Sequence, residues 1–127
     1  MKRLLLDTEA FIWWDANDPK LGGHARAAIQ DAVEVYVSAA SAWEIVIKSS
    51  LGKLRTRRRP ADALEEGGLH ELGVAFEHAE AVGGLPLHHS DPLDRLIIAT
   101  ALVESLTIVT SDRKFDMYDV PTIDARR

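Results

Sequence analysis

Four carboxylates stand where apolar segments end or where helices are predicted to begin. Asp7 and Asp112 each follow an apolar segment, and Glu44 and Asp94 lie near the starts of predicted helices. Neighbouring carboxylates about 4 Å apart repel by roughly 4 kcal/mol at an effective dielectric near 20, so a cluster needs protonation or a bound cation. Hard oxygen ligands suit Mg²⁺ or Mn²⁺. The chemistry indicated is metal-assisted hydrolysis of a phosphodiester.

Three of these acids also have purely local explanations. Asp7 can be the N-cap of a helix that begins at the next residue. Glu44 can close a capping box with Ser41, or form an ion pair with Lys48 one helical turn later. Asp112 can shape a turn. Either explanation accounts for each acid taken singly.

The stretch "DPLDRLIIATAL", residues 91–102, presents the same choice within one helix. Asp91 followed by Pro92 is typical of an N-cap and a first-turn proline, and Asp94 then completes a capping box. Alternatively, Asp94 belongs to an acidic cluster assembled from distant parts of the chain. We favour capping for Asp91 and the cluster for Asp94.

The elements that must position these acids alternate along the chain. Predicted strands are 3–7, 33–38, 69–75, 106–112 and 120–125, and predicted helices are 8–16, 19–32 (beginning after the glycine pair), 39–53, 60–66, 77–86 and 92–105. Alternation of this kind predicts an α/β sandwich with a mostly parallel sheet. Right-handed crossovers bring the carboxyl ends of the strands and the amino ends of the helices to one edge, where ligands bind. The four acids are therefore expected to converge.

Bulk properties narrow the class of protein. The 127 residues fit a single domain spanning 1–127, and the absence of cysteine excludes a disulfide framework and thiolate metal sites. The apolar run near the start is too short for a signal peptide, and no later segment is long enough for a membrane span, so we expect a cytoplasmic protein without membrane contact.

Charge is distributed unevenly. The formal net charge is −5, yet residues 53–59 hold five basic side chains and no acid. This run is either a phosphate-facing patch or a solvated, partner-binding loop. Together with the nearby Lys48, the clustered Lys53, Arg55 and the arginines that follow are candidates for binding a phosphate backbone.

Histidines and tryptophans give weaker signals. No histidines are spaced as zinc ligands on a helix, so we expect them at the surface or in loops, with His89 near the mouth of the site. Trp43 is expected in a core stripe with other apolar residues of its helix, and one of Trp13 and Trp14 is expected to be buried.

With these residues identified, the sequence resembles the PIN-domain ribonucleases that act as toxins of VapBC-type toxin–antitoxin pairs. The matching segments are "LLLDTEAFIWW", "SAASAWEIVIKSSLGKL", "HHSDPLDRLIIATAL", "TIVTSDRKF" and "YDVPTIDA", in the family's order. The resemblance places the four acids on the family's metal-binding positions, and Thr8 and Thr110 on hydroxyl positions beside two of them. Asp91 matches the motif too, and the 53–59 run is more basic than the family pattern requires.

The resemblance implies a PIN-like α/β/α sandwich and an endoribonuclease that needs Mg²⁺ or Mn²⁺. It also implies a homodimer and a cognate antitoxin that binds across the groove and blocks the site. Two alternatives are a domain that accepts a phosphoryl group on Asp7, and a non-catalytic binding module that uses the fold and the basic run alone. The first is expected to have a second acid two residues after Asp7 and a lysine near a later strand end; here Asp7 is followed by "TEA", with Glu9 at that position, and "TIVTSD" ends without a lysine. Retention of all four acids argues against the second.

Overall fold

The computed structural model describes residues 2–54 and 58–127 and is built on a five-stranded sheet. The strands are β1 (Arg3–Leu6), β2 (Glu34–Ser38), β3 (His70–Leu72), β4 (Thr107–Thr110) and β5 (Thr122–Asp124). Their order is β3-β2-β1-β4-β5, and every pairing is parallel. The predicted parallel α/β architecture is confirmed.

In the described ranges, six α-helices connect the strands. They are α1 (Thr8–Asp15), α2 (Gly23–Asp31), α3 (Ala39–Ser50), α4 (Pro60–Glu66), α5 (Phe76–Ala81) and α6 (Pro92–Glu104). Short 3₁₀ turns at Val82–Gly84 and Arg113–Met117 complete the described elements. The predicted boundaries lie within a few residues of these, with the largest error at the end of α5, which was predicted to reach residue 86 and ends at Ala81; β3 is also shorter than the predicted 69–75. Within the described residues, no helix is both long and apolar enough to cross a bilayer.

The central strand β1 separates two hydrophobic cores. Leu4 and Leu6 belong to one core, and Leu5 belongs to the other, because successive side chains of a strand point to opposite faces. Helices α1, α2 and α4 contribute to the first core, and α6 contributes to the second. A strand covered on both faces reads as a continuous apolar run, which explains "LLL".

Helix α3 faces the opposite way from the prediction. Trp43 is 60% exposed and Leu51 is 63% exposed, and the intervening Val46 and Ile47 are also exposed. The buried residues of α3 are Ala40, Ser41 and Ile45. Small residues let the helix approach its neighbours closely, so the expectation of a core Trp43 is wrong. The 3.6-residue period identified a helix with an apolar stripe, but it did not identify the buried face.

Of the two local explanations for Glu44 the capping box is not observed, and the expectation of surface or loop histidines is wrong for His78. Ser38, rather than Ser41, caps α3, its hydroxyl accepting from the Ala40 N–H at 3.1 Å, so no capping box joins Ser41 to Glu44. His78 is buried rather than at the surface. It accepts from the Ala75 N–H through Nδ1 and contacts Glu104 at 2.8 Å through Nε2. Trp13 is buried and Trp14 only half-buried, as expected of that pair.

Candidate metal centre

A cleft of about 460 Å³ opens at the carboxyl edge of the sheet. Asp7, Glu44, Asp94 and Asp112 all line it. Asp7 follows β1, Asp112 lies two residues beyond β4, Asp94 lies in the first turn of α6, and Glu44 lies in the middle of α3. The structure thus brings together all four acids from distant parts of the chain. We call this surface the acidic cleft.

Asp7 is the most deeply placed acid, with only 7% of its surface exposed. Its Oδ1 accepts from the Ala10 N–H at 2.8 Å, which makes it the N-cap of α1. Burial, together with a smaller effect of the Asp94 charge, raises the pKa of Asp7 to about 7, against hydrogen bonds from Thr110 and Ala10 that lower it. Near neutral pH, Asp7 is therefore poised between its protonated and ionised forms.

Asp94 and Asp112 differ in their electrostatic environments. Burial raises the pKa of Asp94 to about 6, and the neighbouring Asp91 carboxylate adds to this effect. Desolvation acts in the same direction on Asp112, but hydrogen bonds from the Lys114 N–H and from His89 outweigh it, so the pKa of Asp112 is lowered. Asp112 is the acid most readily available as an anion.

Glu44 is held by a salt bridge. Its Oε2 lies 3.1 Å from the Lys48 Nζ, one helical turn away on α3. The pairing considered from the sequence is therefore present, and it coexists with the position of Glu44 in the acidic cleft.

His89 is the site residue whose role sequence reasoning missed. Its Nε2 lies 2.8 Å from Asp112 Oδ2 and 3.0 Å from Asp94 Oδ2. The sequence placed His89 only near the mouth of the site, whereas the side chain is buried between two of the acids. The available signal was its place just before the capping sequence "DPLD", since a loop entering that helix must pass the cleft.

The supporting residues lie around the acids. Asp91 lines the cleft and caps α6, accepting from the N–H groups of Leu93 and Asp94 at 2.9 and 3.3 Å. Thr110 hydrogen-bonds Asp7 from behind and accepts from the Asp112 N–H at 3.0 Å. Thr8 lines the cleft and donates to the Ser41 hydroxyl at 2.9 Å.

Two of the three predicted RNA-binding residues also line the cleft. Lys48 and Lys53 lie on its wall, together with Lys20, which the sequence did not single out. Arg55, the third, lies outside the described residues.

The donor set suits a divalent cation. One ligand atom each from His89, Asp94 and Asp112 lie within 4.8 Å of one another, and Asp7 and Glu44 line the same cleft. Carboxylates brought this close and partly desolvated repel one another, and a cation removes the repulsion. Oxygen-rich surroundings without thiolates favour hard metal ions.

Comparisons with known proteins identify the fold and the family. The PIN domain family model matches residues 4–121. Ribonuclease VapC22 of Mycobacterium tuberculosis is 30% identical over 124 residues, which cover 95% of each chain. The fold is shared with VapBC2 from Rickettsia felis, solved bound to a promoter DNA fragment, with a TM-score of 0.68 and 16% identity over 95% of this chain and 97% of that one. It is also shared with a toxin–antitoxin complex from Klebsiella pneumoniae, with a TM-score of 0.65 and 18% identity over 96% of this chain and 97% of that one. This chain belongs to the PIN domain family.

Proposed function

We propose that this chain is a divalent-metal-dependent endoribonuclease that acts as the toxin of a type II toxin–antitoxin system, folded as a single PIN-like domain. The convergence of four acids in one cleft carries the proposal, because such a cluster is costly unless a cation is bound. The resemblance to a named ribonuclease over 95% of both chains supports RNA as the substrate. We place the enzyme in the cytoplasm, where RNA and a cognate antitoxin would be available to it.

Asp7, Asp94 and Asp112 are assigned to hold the ion, directly or through water, and Glu44 to act as a ligand or to orient the attacking water. A bound Mg²⁺ or Mn²⁺ would supply Lewis acidity toward water and phosphate. The chain itself fixes the carboxylates before the ion arrives. Asp7 and Asp112 each accept a backbone N–H at the start of a helical turn, which limits their rotation.

Lysines on the cleft wall are assigned to the RNA backbone. Lys48 is already paired with Glu44, whereas in the described part of the chain neither Lys20 nor Lys53 forms an ion pair. Lys20 and Lys53 are therefore better placed to bind phosphate, and Arg55 stays a candidate from the sequence. An exposed ammonium group gains affinity for RNA mainly by releasing counterions from the phosphates.

A cognate antitoxin and a second copy of the chain complete the proposal. The Klebsiella pneumoniae relative was solved as a toxin–antitoxin complex. The exposed apolar residues of α3 offer a surface that an associating protein would cover, since monomeric proteins seldom expose contiguous apolar patches of large size. Co-expression with the neighbouring reading frame, followed by sedimentation analysis, tests both interactions.

The decisive experiment incubates the purified chain with RNA in Mg²⁺ or Mn²⁺, and in EDTA. Cleavage is expected only with the metal and is expected to disappear in Asp7→Asn. Asp119→Asn, which removes an exposed carboxylate, is the matched control and should cleave normally. Hydrolysis that persists in EDTA, or in Asp7→Asn, contradicts the proposal. Metal-independent RNA binding without cleavage indicates a binding module, and an acyl-phosphate on Asp7 indicates phosphoryl transfer.

A further inference from the structure

His89 lies between two carboxylates of the acidic cleft, and both of its ring nitrogens have polar contacts. Nε2 is 2.8 Å from Asp112 Oδ2 and 3.0 Å from Asp94 Oδ2. On the other side of the ring, Nδ1 is 3.1 Å from the backbone nitrogen of Asp91. The ring also makes an edge-on contact with Phe115, with centroids 5.9 Å apart.

These contacts define the tautomer of His89. The Asp91 N–H can only donate, so Nδ1 must carry a lone pair and accept. A neutral imidazole then carries its proton on Nε2, an assignment made from the hydrogen-bond network. That proton is donated to Asp112 Oδ2, and Asp94 Oδ2 lies 3.0 Å from the same nitrogen.

We infer that His89 is a positioning residue, a neutral donor that holds Asp94 and Asp112 side by side, and that it is not itself a ligand of the ion. The inference rests on the proposed function in taking these two carboxylates as metal-binding groups. A metal-ligating Nε2 would need a lone pair, and the ring proton would then have to sit on Nδ1, facing the Asp91 N–H. Two N–H donors, one on His89 Nδ1 and one on the Asp91 backbone, would then face each other at 3.1 Å beside a buried side chain, with no acceptor between them. Outer hydrogen-bond partners of this kind orient metal-binding carboxylates.

The loop that carries His89 is fixed independently of the metal site. The His89 N–H donates to the Tyr118 hydroxyl at 2.9 Å, and that hydroxyl donates to the Pro86 carbonyl at 2.8 Å. Arg95 on α6 donates to the same carbonyl at 2.9 Å. The imidazole is thus placed by the scaffold before any ion binds, which is the requirement for a group that positions others.

Nitrogen-15 NMR of the imidazole tests the assignment on the wild-type protein. In the metal-free protein, we expect a protonated Nε2 and a lone pair on Nδ1 for His89. Addition of Mg²⁺ should leave that pattern in place, because the ion binds the carboxylates. A proton on Nδ1, either before or after Mg²⁺ is added, overturns the inference. The metal-free spectrum does not depend on catalysis, so this result is separable from failure of the proposed nuclease activity.

Two substitutions separate positioning from space filling. His89→Asn keeps an acceptor for the Asp91 N–H but cannot reach the carboxylates, whereas His89→Gln retains an N–H donor near the position of Nε2. We expect Mn²⁺ binding, measured by electron paramagnetic resonance, to weaken by about 10–100-fold in His89→Asn and to be largely restored in His89→Gln. His88→Asn, at the exposed neighbouring histidine, is the matched control and should bind like the wild type. Wild-type affinity in His89→Asn, or equal losses in both His89 variants, contradicts the inference.

Discussion

Replacing Asp7 with asparagine should stabilise the metal-free protein while it abolishes cleavage. The folded-state pKa of Asp7 is about 7, against an ordinary value of 3.8. At about 1.4 kcal/mol for each tenfold change in acidity, the ionised side chain costs the fold roughly 4 kcal/mol above pH 7. Asparagine keeps an oxygen for the Ala10 N–H and carries no charge. We expect a gain of roughly 2–4 kcal/mol in the free energy of unfolding, or on the order of 10 °C in Tm.

The sign of the pH dependence follows from proton binding. An acid with a raised folded-state pKa binds more protons in the folded state than in the unfolded state between about pH 4 and pH 7, so stability falls as pH rises through that interval. The advantage of Asp7→Asn should therefore be largest at pH 8. It should shrink by roughly 2–3 kcal/mol at pH 5, where the folded wild type is protonated.

Urea unfolding in EDTA at pH 5 and pH 8 measures this double difference, in which the titrating groups that do not interact with Asp7 cancel. Asp119→Asn should change stability by no more than about 0.5 kcal/mol at either pH. Mn²⁺ at about 100 times its Kd should stabilise the wild type by roughly 2.7 kcal/mol, and Asp7→Asn by less. The reasoning fails if Asp7→Asn is less stable than the wild type at pH 8 in EDTA, or if its advantage is the same at both pH values.

Three further substitutions test the scaffold and the cleft wall. Asp91→Ala should lower the free energy of unfolding by about 1 kcal/mol, because the cap of α6 is lost. Asp91→Asn should retain most of the wild-type stability, because asparagine can also cap a helix. Equal urea midpoints for the two variants would argue against capping. Gly22→Ala should lower the free energy of unfolding, measured by thermal unfolding, by roughly 1–3 kcal/mol or more, because the new Cβ would lie 2.2 Å from the backbone carbonyl carbon of Arg127. Gly23→Ala is the control: no described atom lies within 4 Å of its Cβ, so the variant should be neutral or stabilising. Lys53→Gln should weaken RNA binding in EDTA and reduce the slope of log affinity against log salt by about 0.7 for a single-strand contact; an unchanged slope in fluorescence anisotropy would remove Lys53 from the interface.

Much of the fold was predictable because the strands are short apolar runs separated by clear helix signals. The run "LLL" marks a strand buried on both faces, and the "DP" pair at Asp91 marks the start of α6. Which face of a helix is buried was harder to predict. Helix α3 exposes Trp43 and Leu51 and buries Ser41, because its small residues lie against the neighbouring elements. Periodicity reports only that a helix has two different faces, and tertiary contacts decide which one is buried.

His89 shows why part of the site could not be predicted. Its ring contacts Asp112, which is 23 residues away, through a loop held by Tyr118. Neither contact leaves a periodic pattern or a metal-ligand spacing in the sequence. The convergence of the four acids was easier to predict, because strand ends and helix starts share one edge in any parallel α/β sheet.

The sequence left open whether these aspartates cap helices or line the cleft, and in this fold one side chain can do both. Asp7, Asp91 and Asp112 each accept a backbone N–H at the start of a helical turn, and all three line the acidic cleft. A helix that follows a parallel strand begins at the carboxyl edge, so its N-cap side chain stands at the ligand-binding edge by construction. Capping fixes one carboxylate oxygen on the backbone and leaves the other outside the cap, and in Asp112 that second oxygen contacts His89. The cap is therefore the device that holds the acid in position, and a variant that keeps the cap but loses the charge isolates the functional part of each aspartate.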